Sequence, residues 1–296
     1  MNNYDDLLNN APAEGQPNSQ LSKEDYAAKK KSERDEIFTL SDNTAMEVAG
    51  DGDKFRQYLD VQSNFDRYSA VNALLILAQK PEATRLADFD HWKGQGAYVK
   101  LGQAGISILE PHEYTKEDGT PGIGYNVKKV FDISQVDAKK LNKPSPPPTY
   151  TERQILSALI SKAPVKITGV DELPGNMGAM TDPETGKINV RRGMQFADSF
   201  RSVARELAAA DFPANADMQA DPNFSAYCAS YILCSKYGAD TKDFNFNDAP
   251  GVFEGMDAQG IKGALSQIRD AAENINGRMT KQLDAVNKAA KNNEAR

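Results

Sequence analysis

The stretch "AYVKLGQAGISILEPHEY", residues 97–114, is where the pattern of the chain changes. Ile106 and Ile108 lie on one side of an alternating run, and Gly102 and Gly105 punctuate it. Alternation at a period of two, bounded by glycine, reads as strand rather than helix. The stretch predicts two short strands meeting about Gly102–Gly105. Downstream, "EDGT" (117–120) is a turn signal and "YNVKKVFDIS" (125–134) reads as a third strand. These strands make the chain α+β rather than a helical bundle.

Upstream the signals are helical. "LSKEDYAAKKKSERDEIFTLSDNTAMEVAG" (21–50) opens with Ser22 and Asp25 at capping-box spacing and continues with charges of mixed sign, as on a solvated helix face. A second helix covers about 53–66. A third covers 69–79, with Ser69 as N-cap and Pro81 as the stop. Its run "VNALLILAQ" is apolar nearly all round, so it is the expected buried helix, and Asn72 within it must find a partner. That partner is either a neighbouring backbone segment or a ligand in a groove. A short helix at "ADFDHWKGQ" (87–95) ends in glycine.

Beyond the strands, "KKLNKPSPPPTY" (139–150) reads as an extended, proline-rich linker. A helix at 151–162, a strand at "VKITGV" and a hairpin at "GAMTDPETGKINVRRG" with its turn at Asp182–Gly186 follow. Helices at 196–211, 222–237 and about 258–290 complete the chain. The expected organisation is therefore a mobile leader (1–20), a first domain (21–138), the linker, and a second domain (151–296). Each domain would pack helices on a small, mostly antiparallel sheet.

Composition removes several classes of function. The net charge of −7 is spread over both halves, with 18 Lys/Arg against 23 Asp/Glu in residues 1–150. Nucleic-acid binders usually carry a basic excess, so any such binding must rest on a local patch. The longest apolar run, "ALLILA" (73–78), is far too short to span a bilayer, and "MNNYDDLLNN" is acidic where a secretory signal would be basic. Cys228 and Cys234 are six apart, on different faces of a helix, which argues against a disulfide or a shared metal site. A reduced, cytoplasmic protein is the expectation. The chain has only two histidines, His91 and His112, no G-x-S-x-G elbow, and no P-loop or dinucleotide fingerprint in its glycine-rich turns.

"SVARELAAADF" (202–212) resembles a zinc-peptidase helix that has lost its ligands. Such a helix carries His-Glu-x-x-His; here the slots hold Arg205, Glu206 and Ala209. Arg205 stays protonated and Ala209 has no donor atom, so no metal and no cofactor are expected. The plain alternative is an amphipathic helix with Val203, Leu207 and Ala210 packed inward.

A family resemblance adds to this. The run from Phe55 to Pro111, followed by "GYNVKKVFDISQVD" (124–137), resembles the N-terminal domain of ArdC-type antirestriction proteins. These proteins, with LtrC-like relatives, are carried on plasmids and conjugative elements. The recurring features, in order, are Asn72 and its apolar helix, Pro81 with Ala83-Thr84, Trp92, Gly102–Gly105, and Val130-Phe131-Asp132 leading to Gln135. The resemblance implies a domain that binds single-stranded DNA followed by a zincin-like, metallopeptidase-like domain. In the family's active members the zinc helix would fall on Arg205–Ala209 and an acidic third ligand near Tyr227. With those donors missing, the second domain reads as catalytically dead.

Binding single strands needs aromatic faces for bases and cations for phosphates. Residues 91–143 hold eight Lys against six acids, with aromatics interleaved. The candidates for DNA contact are Lys93, Lys100, Lys128, Lys129, Trp92, Tyr125 and Asn72. For Trp92 two readings stand: an anchor packing its helix on the sheet, or a platform for a base. The rival function, from another class, is a protein-interaction module without DNA binding, engaging its partner through the C-terminal domain.

Overall fold

Helix starts are set by side-chain caps. The computed structural model describes residues 22–137, 139, 148–212 and 219–294; the expected leader and most of the expected linker lie outside the described residues. Helix α1 is Lys23–Ala49, with Ser22 Oγ accepting from Asp25 N. Helix α2, Gly52–Asn64, is capped by Asp51, and α3, Ala70–Gln79, by Ser69. Asp88 caps α4, Phe89–Gly94. Each cap satisfies backbone donors left free by the first turn, worth about 1 kcal/mol.

Five strands accompany these helices: β1 (Leu86–Ala87), β2 (Tyr98–Val99), β3 (Ile106–Thr115), β4 (Pro121–Asp132) and β5 (Val136–Asp137). β3 and β4 form an antiparallel hairpin whose register runs from Ile106 opposite Val130 to Thr115 opposite Pro121. β1 flanks β4 on its other side. The expected pairing about Gly102–Gly105 does not occur. β2 pairs instead with β5, and the hairpin turn is at 116–120. Gln135 is the reason: its carbonyl accepts from Lys100 N at 2.9 Å and its Nε2 donates to Ala104 O at 2.7 Å. The 100–104 turn is thereby stitched to the 133–135 turn rather than folded onto β3.

The C-terminal half begins with α5, Glu152–Ile160, closed by a Thr151–Gln154 capping box. Strands β6 (Ile167–Val170), β7 (Ala179–Thr181) and β8 (Ile188–Arg191) form a sheet in the order β6-β8-β7. β7 and β8 are the antiparallel hairpin expected at 178–193, while β6 joins β8 in parallel. Helices α6 (Phe196–Asp211), α7 (Pro222–Tyr237), α8 (Ala249–Val252) and α9 (Ala258–Glu294) follow.

The buried apolar residues of both halves form one continuous cluster, from Ala45 to Leu283. Phe55 of α2 shows how the halves meet. Its ring packs on Phe224, Phe246 and Phe253, with centroids 5.5, 5.7 and 5.5 Å away. A smaller cluster surrounds Trp92, Ala97 and Val136. Cys228 and Cys234 are free and buried, and burial pushes the Cys234 thiol up to about 12. No helix among the described residues is long and apolar enough to cross a membrane.

Candidate nucleic-acid interface

Arg205, Glu206 and Ala209 on α6 do not converge with other donors into a metal site among the described residues. The buried stripe of α6 is Phe200, Val203, Ala204, Leu207 and Ala208. Ala210, expected inward, is exposed, because Ala204 and Ala208 continue the stripe at helical spacing instead. Arg205 faces solvent. Glu206 accepts from Thr181 N at 2.8 Å and from Thr181 Oγ1 at 2.7 Å, which ties α6 to the sheet. Tyr227 packs on Phe244, ring centroids 4.8 Å apart, and its hydroxyl accepts from Asn245 N. Ala209 is half-buried and offers no donor. Among the described residues no group of three or more His, Cys, Asp or Glu side chains converges as a metal site. With a permanently protonated Arg205 and a donorless Ala209 beside Glu206, this donor set does not fit zinc. Glu206→Ala would leave Thr181 N–H without its acceptor; a loss of about 1.5–3 kcal/mol of unfolding free energy is expected, read by urea denaturation. An unchanged midpoint would contradict that role.

The sequence-based DNA candidates divide. Trp92 is fully buried, its Nε1 donating to Phe131 O at 2.9 Å and the Arg85 guanidinium lying over its ring. It is the anchor, and no face is left for a base. Asn72 is the backbone clamp: Nδ2 donates to Leu109 O at 2.9 Å and Oδ1 accepts from Leu109 N at 2.8 Å, which fixes α3 to β3. Lys128 lies between Asp88 (3.1 Å) and Glu110 (2.9 Å), and these carboxylates raise its pKa above the ordinary lysine value. Its charge is already matched. Lys129 donates to Ser107 Oγ, and Lys100 reaches Ser134 O at 2.9 Å. Lys93 is exposed on α4. Tyr125 is 39% exposed on β4 with an edge against Phe38.

Tyr125 opens onto a groove of about 740 Å³ that the sequence did not reveal. The hairpin contributes Pro111, Ile123 and Tyr125; the turn after α2 contributes Arg67 and Tyr68; α9 contributes Lys262, Ser266 and Arg269. Three cations and three aromatics (Phe38, Tyr68, Tyr125) line it, and no Asp or Glu does. In a chain of net charge −7 that is a marked local reversal. Lys262 and Arg269 pair with Asp42 and Asp270, neither of them in the lining. Arg67 is exposed and has no ion pair among the described residues. A second groove of about 380 Å³ adjoins the first, sharing Tyr68, Asn72, Leu109 and Pro111, and it holds Lys128 with its two acids. No local sequence pattern marks Arg67 or Arg269 as partners, since tertiary packing alone brings them together.

Helices packed on small, mostly antiparallel sheets, with a clamped hairpin beside a cation-lined groove, define the class of fold. Residues 42–143, about a third of the chain, match the family model described as the N-terminal domain of anti-restriction factor ArdC. Among solved structures, the chain is similar to the metal-free antirestriction ArdC protein from the R388 plasmid, with 16% identity and a TM-score of 0.49 over 72% of this chain and 86% of that one. The Mn(II)-bound structure of the same protein gives 17% identity and a TM-score of 0.47 over 72% and 85%. No curated protein matches the chain.

Proposed function

We propose that this protein binds single-stranded DNA without sequence preference, in a cytoplasmic, mobile-element setting of antirestriction or conjugation. Its C-terminal half is, on this reading, a peptidase-like scaffold with neither catalytic metal nor peptidase activity. The observation that carries the proposal is the lining of the larger groove: Arg67, Lys262 and Arg269 beside Phe38, Tyr68 and Tyr125, with no acid. Unpaired bases present flat faces to aromatic rings, worth about 1–3 kcal/mol per stacked base, whereas duplex DNA keeps those faces inside. Arg67, exposed and without an ion pair among the described residues, tracks phosphates regardless of sequence.

Titration of labelled single-stranded and duplex oligonucleotides against salt tests this. Single strands should bind more tightly, with log affinity falling against log salt at a slope of about −0.7, for the one phosphate that Arg67 can take. Added chelator should leave the affinity unchanged. No binding at low salt, or a flat salt dependence, would favour the protein-interaction module, for which the C-terminal half offers the exposed Ile160, Met177 and Val286 as apolar contacts.

A further inference from the structure

The matched domain ends at residue 143, yet one wall of the groove comes from far beyond it. Gln259, Lys262, Gly263, Ser266 and Arg269 of α9 all line the groove, opposite the hairpin. The turn that presents Arg67 and Tyr68 is also held from the C-terminal half. Arg269 Nη2 donates to Asp66 O at 3.0 Å. The Asp66 carboxylate accepts from Lys236 Nζ of α7 at 2.5 Å and from Asn276 Nδ2 of α9 at 3.1 Å. Tyr237 OH, donating to Asn276 Oδ1 at 2.9 Å, fixes that amide in turn. On the N-terminal side, buried Gln62 closes the same turn by donating to Phe65 O and Tyr68 O. Asp66 is thus a hub between two C-terminal helices and the residue that precedes Arg67.

We infer that α7 and α9 are working parts of the single-strand site: α9 is its second wall, and Lys236 and Asn276, acting through Asp66, are positioning residues for Arg67 and Tyr68. This rests on the strand-binding reading above. It gives the C-terminal half a role that needs no metal. The ligand class is a single-stranded nucleic acid with its bases over Tyr68 and Tyr125, its phosphates at Arg67, and α9 closing the opposite side. Lys236 and Asn276 do not line the groove, so their effect on binding can only pass through the turn.

The test uses the full chain and two kinds of variant. Lys236→Met should weaken binding of a single-stranded oligothymidylate roughly three- to tenfold, within the range for positions that act without touching the ligand. Its salt slope should stay at the wild-type value, because no phosphate contact is removed, and Lys236→Arg should restore affinity. Arg67→Ala, by contrast, should weaken binding and lower the slope by about 0.7. A benzophenone side chain at exposed position 259 should crosslink to the same oligonucleotide, with position 125 on the hairpin as reference; this second measurement does not depend on how well Lys236→Met folds. The inference is overturned if Lys236→Met binds like wild type, or if position 125 crosslinks and position 259 does not, while Arg67→Ala still weakens binding. If Arg67→Ala has no effect and neither position crosslinks, the strand-binding reading fails with it.

Discussion

Asp132→Ala is expected to lower the free energy of unfolding by about 3 kcal/mol, since it strips charge-assisted acceptors from three backbone donors. Asp132 Oδ1 accepts from Thr84 N at 2.7 Å and Arg85 N at 2.9 Å; Oδ2 accepts from Ser134 N at 2.9 Å. Its own N–H donates to Gln135 Oε1 at 2.8 Å, so one residue joins β4, the segment leading into β1, and the turn before β5. Burial works against the charged carboxylate, but the hydrogen bonds from Ser134, Arg85 and Thr84 outweigh it and hold its pKa down to about 2. A depressed carboxylate contributes stability that is present above its unfolded value of about 3.9 and disappears as pH falls through the folded one. The wild type should therefore lose stability between about pH 4 and 2, and Asp132→Asn should flatten that limb. Urea midpoints across this range provide the check. A midpoint for Asp132→Ala within about 0.5 kcal/mol of wild type, the scatter of ordinary surface substitutions, would refute the assignment.

Arg67→Glu is expected to weaken single-strand binding about 30-fold at low salt, or ~2 kcal/mol, by exchanging a charge-assisted contact for repulsion. The groove offers no acid to rearrange against, and Arg67 has no ion pair to lose among the described residues, so the effect should appear in binding rather than stability. Replacing Lys128 and Lys129 together by Ala, which the sequence alone would favour as the decisive test, should matter much less. Lys128 already sits between Asp88 and Glu110, and Lys129 is engaged with Ser107. Side-by-side salt titrations decide between the two. Should the double lysine variant lose more affinity than Arg67→Glu, the binding surface is the smaller groove.

Where local chemistry determines local structure, the sequence was legible. Ser22 and Ser69 start helices because a hydroxyl beside an apolar or charged helical run has backbone donors to satisfy. The apolar run of α3 could only be interior, and Asn72 within it had to be paired; Leu109 is the partner. Two-residue strands carry no periodicity, so β2 gave no sign that it would pair with β5 across nearly forty residues of chain. Gln135, read only as part of a motif, holds that pairing in place. The groove was invisible for a related reason. An amphipathic pattern says which face of α9 is buried, but it does not say which neighbour that face will meet, and Arg67 and Arg269 converge only after α9 docks on α1 and α3. Arg205 shows the limit of motif matching, since a position equivalent in spacing to a metal ligand here points to water.

The hub at Asp66 also bears on inheritance. Where related genes exchange segments, the stretch after residue 137 would be a natural point for a join. A grafted C-terminal half would have to bring a cation at position 236 and an amide at 276, and it would need a helix that meets the α2–α3 turn at the right height. Chimeras lacking that matched set should survive selection poorly even when each half is sound by itself. Among descendants of this gene, the residues at 66, 236 and 276 should accordingly change together or not at all.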